Sequence, residues 1–160
     1  MDLWLQNYAR LAAEISSAAD PEFPGAGAAG GLGFAFLSFT NAVLDSGADI
    51  ILEKTGLEQK IQNADIVITG EGRLDSQSAM GKGPLAVTVL AKKYAKPVIA
   101  LCGSIGADAA ICNELGIDAY FPILQSVTTL EDALAPETAR DNLRKTARQI
   151  FRLITTFGRN

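Results

Sequence analysis

Charged and hydroxyl side chains are concentrated in one glycine-rich stretch, residues 70–84. Its sequence, GEGRLDSQSAMGKGP, holds two carboxylates, one arginine, one lysine and two serines. Glycine-rich turns and helix N-termini favour anions, and Arg73 and Lys82 could neutralise phosphate charge. Asp75 or Glu71 could accept a hydroxyl proton or hold Mg²⁺. The set suits phosphoryl transfer, which needs positioning and charge neutralisation rather than a reactive side chain.

A simpler interpretation of the same stretch is a polar surface loop. In that case Arg73 and Asp75 would pair with each other at the surface and bind no ligand. The stretch does not match the phosphate-binding Walker A motif, because Gly81-Lys82 is followed by Gly83 and not by Ser or Thr. The residues alone therefore leave both a phosphate site and a surface loop open.

The second half of the chain predicts the elements that would position this stretch. Three short apolar runs, each apolar on both faces, are typical of strands in a covered parallel sheet. Helical segments separate them, so the pattern predicts a parallel α/β sheet with right-handed crossovers. The predicted strands are 65–69, 97–102 and 119–123, and the predicted helices are 83–95, 107–116 and 137–156.

Loops at the carboxyl ends of these strands are the expected ligand-binding positions. They are residues 70–84, 103–108 and 124–129. The first is much longer than the ~2–6 residues usual in such units, which favours it as the functional loop. The second, GSIGAD, is a weaker candidate for an anion-binding site, because its glycines could be there simply to permit a tight turn.

The first half of the chain is nearly all helix and loop. An uncharged stretch at 23–44 is as long as a membrane span, but its first half is rich in Pro and Gly and its helical part is too short to cross a bilayer. Apolar spacing sets the remaining predictions. In chain order they are a helix over 3–18, a buried helix over 31–44, an extended piece at 49–52, and a helix over 56–63 that begins with a capping box of Thr55 and Glu58.

A glycine run, PGAGAAGGLG, precedes the predicted buried helix. Gly25, Gly27 and Gly30 match the dinucleotide-binding spacing G-x-G-x-x-G, which requires a preceding strand. The preceding residues, DPEFP, are not a strand, so a nicotinamide or flavin site is disfavoured. Close packing against another segment remains open. An anion-binding turn also remains open and keeps Gly27 and Gly30 as candidate binding residues.

Composition excludes several classes of function. The chain of 160 residues has a net charge of −4 and no histidine, which removes histidine-dependent triads and metal sites. Basic residues form no block before the last helix, where they fit a solvated face, so nucleic-acid binding is disfavoured. Cys102 and Cys112 are predicted to be buried, reduced thiols. We expect a cytoplasmic protein that acts on a small molecule and does not bind membranes.

Four stretches together resemble the C-terminal part of the type 1 glycerate kinases. They are PGAGAAGGLG, ADIVITGEGRLDSQSAMGKGP, KPVIALCGS and IDAYFPI, in this order. The resemblance covers nearly the whole chain, and its second motif is highly specific. The residues of that motif that match are Gly70, Glu71, Gly72, Arg73, Asp75, Gln77, Gly81, Lys82 and Pro84.

The resemblance implies ATP-dependent phosphorylation of D-glycerate, with Mg²⁺ present, in a cleft between two domains. It implies that residues 61–160 are the C-terminal part of a flavodoxin- or Rossmann-like domain, and that residues 1–60 belong to an inserted domain or its junction. We expect catalytic roles for Arg73, Asp75 and Lys82, with Asp75 also the candidate for Mg²⁺. The expected substrate- or phosphate-binding residues are Gly70, Glu71, Gly72, Ser76, Gln77, Gly81, Gly27 and Gly30.

Parts of that family have no counterpart in this sequence, namely the N-terminal segment with its Asp-Ser-Phe-Lys motif and most of the inserted domain. Two alternatives therefore stay open. One is an inactive fragment or a non-catalytic subunit, and the other is a flavodoxin-like module that binds a phosphorylated metabolite through the same loop. A sheet edge left open by absent strands would favour pairing. The expected partner is accordingly a second copy or a complementing N-terminal half.

Overall fold

The computed structural model describes residues 2–78 and 83–158. The chain divides into two compact units, Met1–Ser46 and Gly47–Asn160. The division expected after residue 60 concerns the domains of the longer enzymes and stays a prediction. The first unit contains α1 (Asp2–Ile15) and α2 (Ala28–Phe39). The second contains α3 (Gly47–Lys54), α4 (Leu57–Gln62), β1 (Val67–Leu74), α5 (Gly83–Lys93), β2 (Val98–Ile105), α6 (Ile111–Glu114), β3 (Ala119–Pro122), α7 (Leu130–Leu134) and α8 (Pro136–Phe157).

A parallel sheet forms the centre of the second unit. Among the described residues it has three strands in the order β1-β2-β3, and both neighbouring pairs are parallel. This confirms the predicted α/β class with a parallel sheet. Strands β1 and β2 run further than predicted, to Leu74 and Ile105. Residues 70–74 and 103–105 therefore belong to strands, and the loop after β1 begins only at Asp75.

Glycines at facing positions let β1 and β2 pair along this extension. A Cβ on Gly70 would lie 2.3 Å from the carbonyl oxygen of Leu101, and a Cβ on Gly103 would lie 2.5 Å from that of Gly72. Side chains do not approach backbone oxygens that closely, so larger residues would force the two strands apart. Glycines that suggested a loop in the sequence therefore serve a close approach of two backbones.

Helices α5 and α6 contribute to the core that covers the sheet. Alternate residues of β2, among them Ala100 and Cys102, are buried together with Ala91 of α5 and Cys112 of α6. Both cysteines are free and buried, as predicted. Burial raises the pKa of Cys102 to about 11, and the Glu71 carboxylate and Cys112 add to this effect. Cys102 is therefore an inert, protonated thiol near neutral pH.

One carboxylate joins α5 to the beginnings of β2 and β3. Oδ2 of Asp118 accepts hydrogen bonds from Nζ of Lys92 (2.5 Å) and from the backbone N–H of Val98 (2.6 Å). Partial burial raises the pKa of Asp118, but the bonds from Lys92 and Val98 outweigh it, so the pKa lies below its ordinary value. Because the folded-state pKa is lowered, this stabilisation is present above the unfolded-state pKa and is lost as the pH falls through the folded-state pKa.

Residues 49–52, expected to be extended, lie inside helix α3. Their β-branched residues suggested a strand, but the positions that line a neighbouring groove follow a helical spacing. Ala48, Ile51, Leu52 and Thr55 share the side of α3 that lines a groove beside β1. The strand prediction was wrong here, because Ala48, Ile51 and Leu52 can line the same groove only when residues three and four apart share a side, as in a helix.

The predicted capping box at Thr55 is also wrong. The Thr55 hydroxyl donates to the carbonyl oxygen of Ile51 (2.8 Å) at the end of α3. Gly56, with left-handed backbone, directly precedes α4. Glu58 instead accepts a hydrogen bond from Nζ of Lys93 (2.6 Å), which ties α4 to α5. A tertiary ion pair therefore uses the side chain that would have completed the local cap.

The glycine run of the first unit folds back on itself. Residues 29–31 have left-handed backbone, with φ of 51°, 70° and 92°, so α2 begins with an irregular turn. Gly33 approaches Gly25 so closely that a Cβ on Gly33 would lie 2.5 Å from the Gly25 carbonyl oxygen. No strand is found among the described residues 2–46. The dinucleotide pattern therefore lacks the strand that it requires, and the observed contact supports close packing.

Helix α2 ends at Phe39, earlier than the predicted end at residue 44. The Thr40 hydroxyl donates to the carbonyl oxygen of Phe36 (2.7 Å) and accepts from the N–H of Ala42 (3.1 Å). This local bonding competes with continuation of the helix. None of the helices in the described part of the chain is long and apolar enough to span a membrane.

The final helix, α8, lies close to its predicted bounds of 137–156. Ile150 is buried on its apolar side. Lys145 pairs with Asp141 one turn earlier at 2.6 Å, and both side chains are well exposed. This arrangement supports the interpretation of its basic residues as a solvated face.

Replacing Gly103 should destabilise the second unit. In Gly103→Ala the new methyl group meets a backbone oxygen of the paired strand, so we expect the free energy of unfolding to fall by ~1–3 kcal/mol. Urea denaturation followed by far-ultraviolet circular dichroism measures this. Gly47→Ala is the matched control, because a Cβ there meets nothing within 4 Å. Equal midpoints for Gly103→Ala and Gly47→Ala would contradict the role assigned to the close approach.

Candidate active site

The carboxyl end of β1 carries an ion pair. Nε of Arg73 lies 3.3 Å from Oδ2 of Asp75. The Asp75 side chain is 20% exposed and the Arg73 side chain 67% exposed, so the carboxylate is sheltered while the guanidinium reaches solvent. The ion pair engages Nε, and a guanidinium has five N–H donors. Arg73 can therefore also bind a ligand's carboxylate or phosphate in two-pronged fashion.

A tight turn fixes the direction of the Asp75 side chain. Oδ1 of Asp75 accepts from the backbone N–H of Gln77 (3.0 Å). The buried Ser78 hydroxyl accepts from the N–H of Asp75 (3.2 Å) and donates to the carbonyl oxygen of Arg73 (3.3 Å). The N–H of Ser78 donates to the carbonyl oxygen of Asp75 (3.0 Å). The carboxylate is thus held on both of its oxygens, by a backbone donor and by an arginine.

The loop after β2 packs against the same turn. The N–H of Gly106 donates to the carbonyl oxygen of Leu74 (2.7 Å). A Cβ on Gly106 would lie 2.7 Å from Cβ of Asp75 and 2.8 Å from Oδ1 of Asp108, so these two residues flank the glycine. The Ser76 hydroxyl donates to Asp108, and this bond, together with one from the N–H of Asp108 itself, lowers the pKa of that carboxyl.

Glu71 brings a further carboxylate to β1, opposite Cys102 in the register with β2. Its Oε1 is buried and has no hydrogen-bond partner among the described residues. A buried carboxylate oxygen without a donor is unfavourable, and such an atom requires an explanation. A donor on a bound ligand would provide one. Its expected binding role stays a prediction.

The structure brings together a subset of the residues expected to bind substrate or catalyse its reaction. Arg73, Asp75, Ser76 and Gln77 lie in one continuous segment at the carboxyl end of β1. Gly70 and Gly72 lie in β1 itself and not in a flexible loop, and a Cβ on Gly72 would meet nothing within 4 Å. If these glycines bind phosphate through backbone N–H groups, they can use only the N–H groups that do not already pair with the neighbouring strand.

Four other expected binding or catalytic residues do not belong to this described segment. Gly81 and Lys82 lie outside the described residues. Gly27 and Gly30 lie in the first compact unit, Gly27 directly before α2 and Gly30 in its left-handed first turn. Their binding roles stay predictions.

A metal ion at this edge would find few protein ligands. Among the described residues, no group of three or more Asp, Glu, Cys or His side chains is placed to hold a metal. Mg²⁺ commonly binds through one or two carboxylates and takes its remaining ligands from substrate phosphates and water. The Asp75 carboxylate therefore fits the type of ligand that Mg²⁺ uses, in a site completed by a phosphorylated substrate.

An open apolar groove of about 820 Å³ lies beside β1 in the second unit. Its walls include Ile51 and Leu52 of α3, Thr69 of β1, and Pro84 and Val87 of α5. Side chains of this kind offer contact area but few hydrogen bonds. The groove therefore does not by itself define the chemistry of a ligand.

Sequence reasoning missed three residues that shape the Asp75 turn. Ser78 bonds the backbone on both sides of Asp75, Gly106 lies against its Cβ, and Cys112 directs its thiol at the Asp75 carbonyl oxygen (3.7 Å). A signal for Gly106 was present, because the loops after β1 and β2 leave the same sheet edge. No sequence signal pointed to Ser78 or Cys112, whose roles arise from the folded turn.

Comparison with known proteins decides the family. The model of the glycerate kinase family matches residues 1–155. The chain belongs to the glycerate kinase family. This confirms the resemblance carried by the motif at 70–84. The Arg73–Asp75 pair therefore lies in the segment that carries the highly specific part of the resemblance.

The named relatives match all or nearly all of this chain, but they are much longer than it is. Glycerate 2-kinase of Escherichia coli (strain K12) is 41% identical over 160 residues, 100% of this chain and 42% of that protein. Glycerate kinase of Bacillus subtilis (strain 168) is 43% identical over 150 residues, 94% of this chain and 39% of that protein. A crystal structure assigned to glycerate kinase 2 of Salmonella typhimurium LT2 matches with a TM-score of 0.72 at 39% identity, covering 97% of this chain and 39% of that chain. The chain thus spans about two fifths of the length of the curated relatives.

Removing the Ser76 hydroxyl should raise the pKa of Asp108. In Ser76→Ala we expect the pKa of the Asp108 carboxyl to rise towards its ordinary value, because the side-chain hydrogen bond that lowers it most is absent while the backbone N–H groups and Arg73 still lower it. In the unsubstituted protein the stabilisation by this bond is present above the unfolded-state pKa and is lost as the pH falls through the lower folded-state value. Carbon-13 NMR of the side-chain carboxyls measures both proteins.

Glu58 provides the internal control for this titration. Its pKa is lowered by Lys93 and Tyr94 and not by Ser76, so its midpoint should be the same in both proteins. An unchanged Asp108 midpoint in Ser76→Ala would show that the hydroxyl does not bond that carboxylate in solution.

Proposed function

We propose that this chain supplies the phosphoryl-transfer edge of a glycerate kinase, an enzyme that phosphorylates D-glycerate with ATP. The observation that carries the proposal is the Arg73–Asp75 pair at the carboxyl end of β1, which lies within the motif that resembles the family. Open parallel sheets bind their ligands at this edge. The E. coli and B. subtilis relatives are named glycerate 2-kinase and glycerate kinase, which supports the choice of substrate.

Asp75 is the proposed base of the reaction. A hydroxyl oxygen of glycerate forms a bond to the γ-phosphorus of ATP, the bond from that phosphorus to the β–γ bridging oxygen breaks, and ADP leaves. The hydroxyl proton passes to the Asp75 carboxylate. The Gln77 N–H and the Arg73 guanidinium hold this carboxylate in one direction, which favours a single geometry of proton transfer.

Arg73 is the proposed binding group for the glycerate carboxylate or for a phosphate. Its guanidinium is largely exposed, so it can meet a ligand while Nε stays with Asp75. We further propose that Lys82 and the backbone of residues 70–72 offset phosphate charge. Mg²⁺, when bound, would neutralise charge on the transferring group. Holding this ion is the alternative role for the Asp75 carboxylate, in place of acting as the base.

ADP release that requires both ATP and D-glycerate tests this proposal on the purified chain. Asp75→Asn and Arg73→Ala should each lower kcat/KM by about 100-fold, because removing a charged transition-state contact costs ~3 kcal/mol. Asp65→Asn is the matched control. Asp65 is an exposed carboxylate just before the opposite end of the same strand, and its substitution should leave kcat/KM within about twofold.

Two results would contradict the assignment. One is an Asp75→Asn variant with the kcat/KM of the unsubstituted chain. The other is ADP release that does not depend on D-glycerate.

A second candidate function is favoured by the covered length, about two fifths of the relatives. The chain would then bind the ligands as a non-catalytic subunit completed by another chain. Titration calorimetry with ATP, D-glycerate, FMN and NAD separates the candidates. Binding of ATP or D-glycerate that Arg73→Ala weakens, without ADP release, would favour the subunit. Binding of FMN or NAD alone would favour a flavodoxin-like module.

A further inference from the structure

The segment that follows β2 holds the Asp75 turn from more than one side. Gly106 is buried and lies directly against Cβ of Asp75. Oδ1 of Asp108 lies 2.8 Å from the position that a Cβ on Gly106 would take, and a hydrogen bond with Ser76, the next residue of the turn, lowers the pKa of Asp108. Cys112, which is 2% exposed, directs its thiol at the Asp75 carbonyl oxygen (3.7 Å). A different strand and helix thus constrain the residue that the proposed reaction uses as its base.

We propose that Gly106 and Asp108 are positioning residues for the Asp75 carboxylate, an inference that rests on the proposed function. Gly106 sets how closely the ends of β1 and β2 approach, because there is room only for a hydrogen atom on its Cα. Asp108 lies directly against Gly106 and bonds Ser76, and through these two neighbours of Asp75 it sets the orientation of the turn. Both residues act through the turn and need not touch the substrate.

A side chain at Gly106 is excluded by its close neighbours and not by the backbone conformation of the glycine. Its backbone is not among the left-handed glycines of the described chain, so alanine can adopt the same φ and ψ. A methyl group there would lie 2.7 Å from Cβ of Asp75, where ordinary contact begins near 3.4 Å. Cβ is fixed to the backbone, so relief requires the Asp75 turn itself to shift by several tenths of an ångström.

Asp108 contributes through a hydrogen bond to a charged group. Asp108 is ionised near neutral pH, as exposed aspartates ordinarily are, so its bond with Ser76 is charge-assisted. The charge of the Arg73 guanidinium, which pairs with Asp75, also lowers this pKa. Movement of Asp108 would therefore disturb Ser76 and Arg73 together, on either side of Asp75.

The first measurement is independent of catalysis. In Gly106→Ala we expect shifted NMR signals for the Asp75 carboxyl and for the Gln77 amide, which donates to that carboxyl. We also expect exchange of the Gln77 amide hydrogen to accelerate by about tenfold or more. Gly47→Ala, where a Cβ meets nothing within 4 Å, should leave both signals unchanged. Unchanged Asp75 and Gln77 signals in folded Gly106→Ala would overturn the proposal.

The second measurement follows the reaction with ATP and D-glycerate. Gly106→Ala and Asp108→Ala should lower kcat by about tenfold to 100-fold with KM for ATP within about twofold, because a misplaced group costs rate more than binding. Asp108→Asn keeps an oxygen that accepts from Ser76 and should recover most of the loss. Asp65→Asn is the control for the removal of an exposed carboxylate.

The outcomes of the two measurements are separable. Shifted signals together with the kcat of the Gly47→Ala control would overturn the positioning role and leave the proposed function standing. If the unsubstituted chain shows no glycerate-dependent turnover, the proposed function fails in this chain, and the same NMR signals recorded for Gly106→Ala and Asp108→Ala decide whether each residue holds Asp75. Equal losses in Asp108→Asn and Asp108→Ala would overturn the role of the hydrogen bond.

Discussion

The close approach of β1 and β2 at their glycines is the constraint on which the candidate site depends. A side chain at Gly70 or Gly103 would meet a backbone oxygen of the facing strand at 2.3 or 2.5 Å, so neither position admits a Cβ without separating the strands. The paired strands therefore continue to Leu74 and Ile105. Their ends leave the sheet at the same level, which places Asp75 and Gly106 in contact.

Electrostatics at this edge consist of partly exposed groups that hold one another. Arg73 faces Asp75, and Ser76 bonds Asp108. Because one partner of each pair, Arg73 or Asp108, is exposed to solvent, each pair contributes little to folding stability. These pairs matter because they fix the orientation of side chains. A carboxylate with a defined orientation can accept a proton from a bound hydroxyl, and an exposed guanidinium can bind an anion. The stability of the unit comes instead from the buried core and from ties such as Asp118.

Membership of the glycerate kinase family follows from a match over residues 1–155, whereas activity is a property of proteins more than twice as long. The part of the chain that the structure describes contains the Asp75 turn, and no group of three or more side chains there could hold a metal ion. Phosphoryl transfer requires several sources of positive charge. In the described part of the chain, the Arg73 guanidinium beside Asp75 is one such source.

The sequence by itself determined the family, the parallel sheet, and the segment that contains Arg73 and Asp75, because apolar runs and a specific motif are local signals. Only the tertiary structure decided that residues 70–74 are strand, that 49–52 are helix, and that Gly106 and Cys112 support Asp75. Glycine is compatible with both a loop and a close approach of two backbones. The choice between them depends on what lies opposite, and that neighbour is distant along the chain.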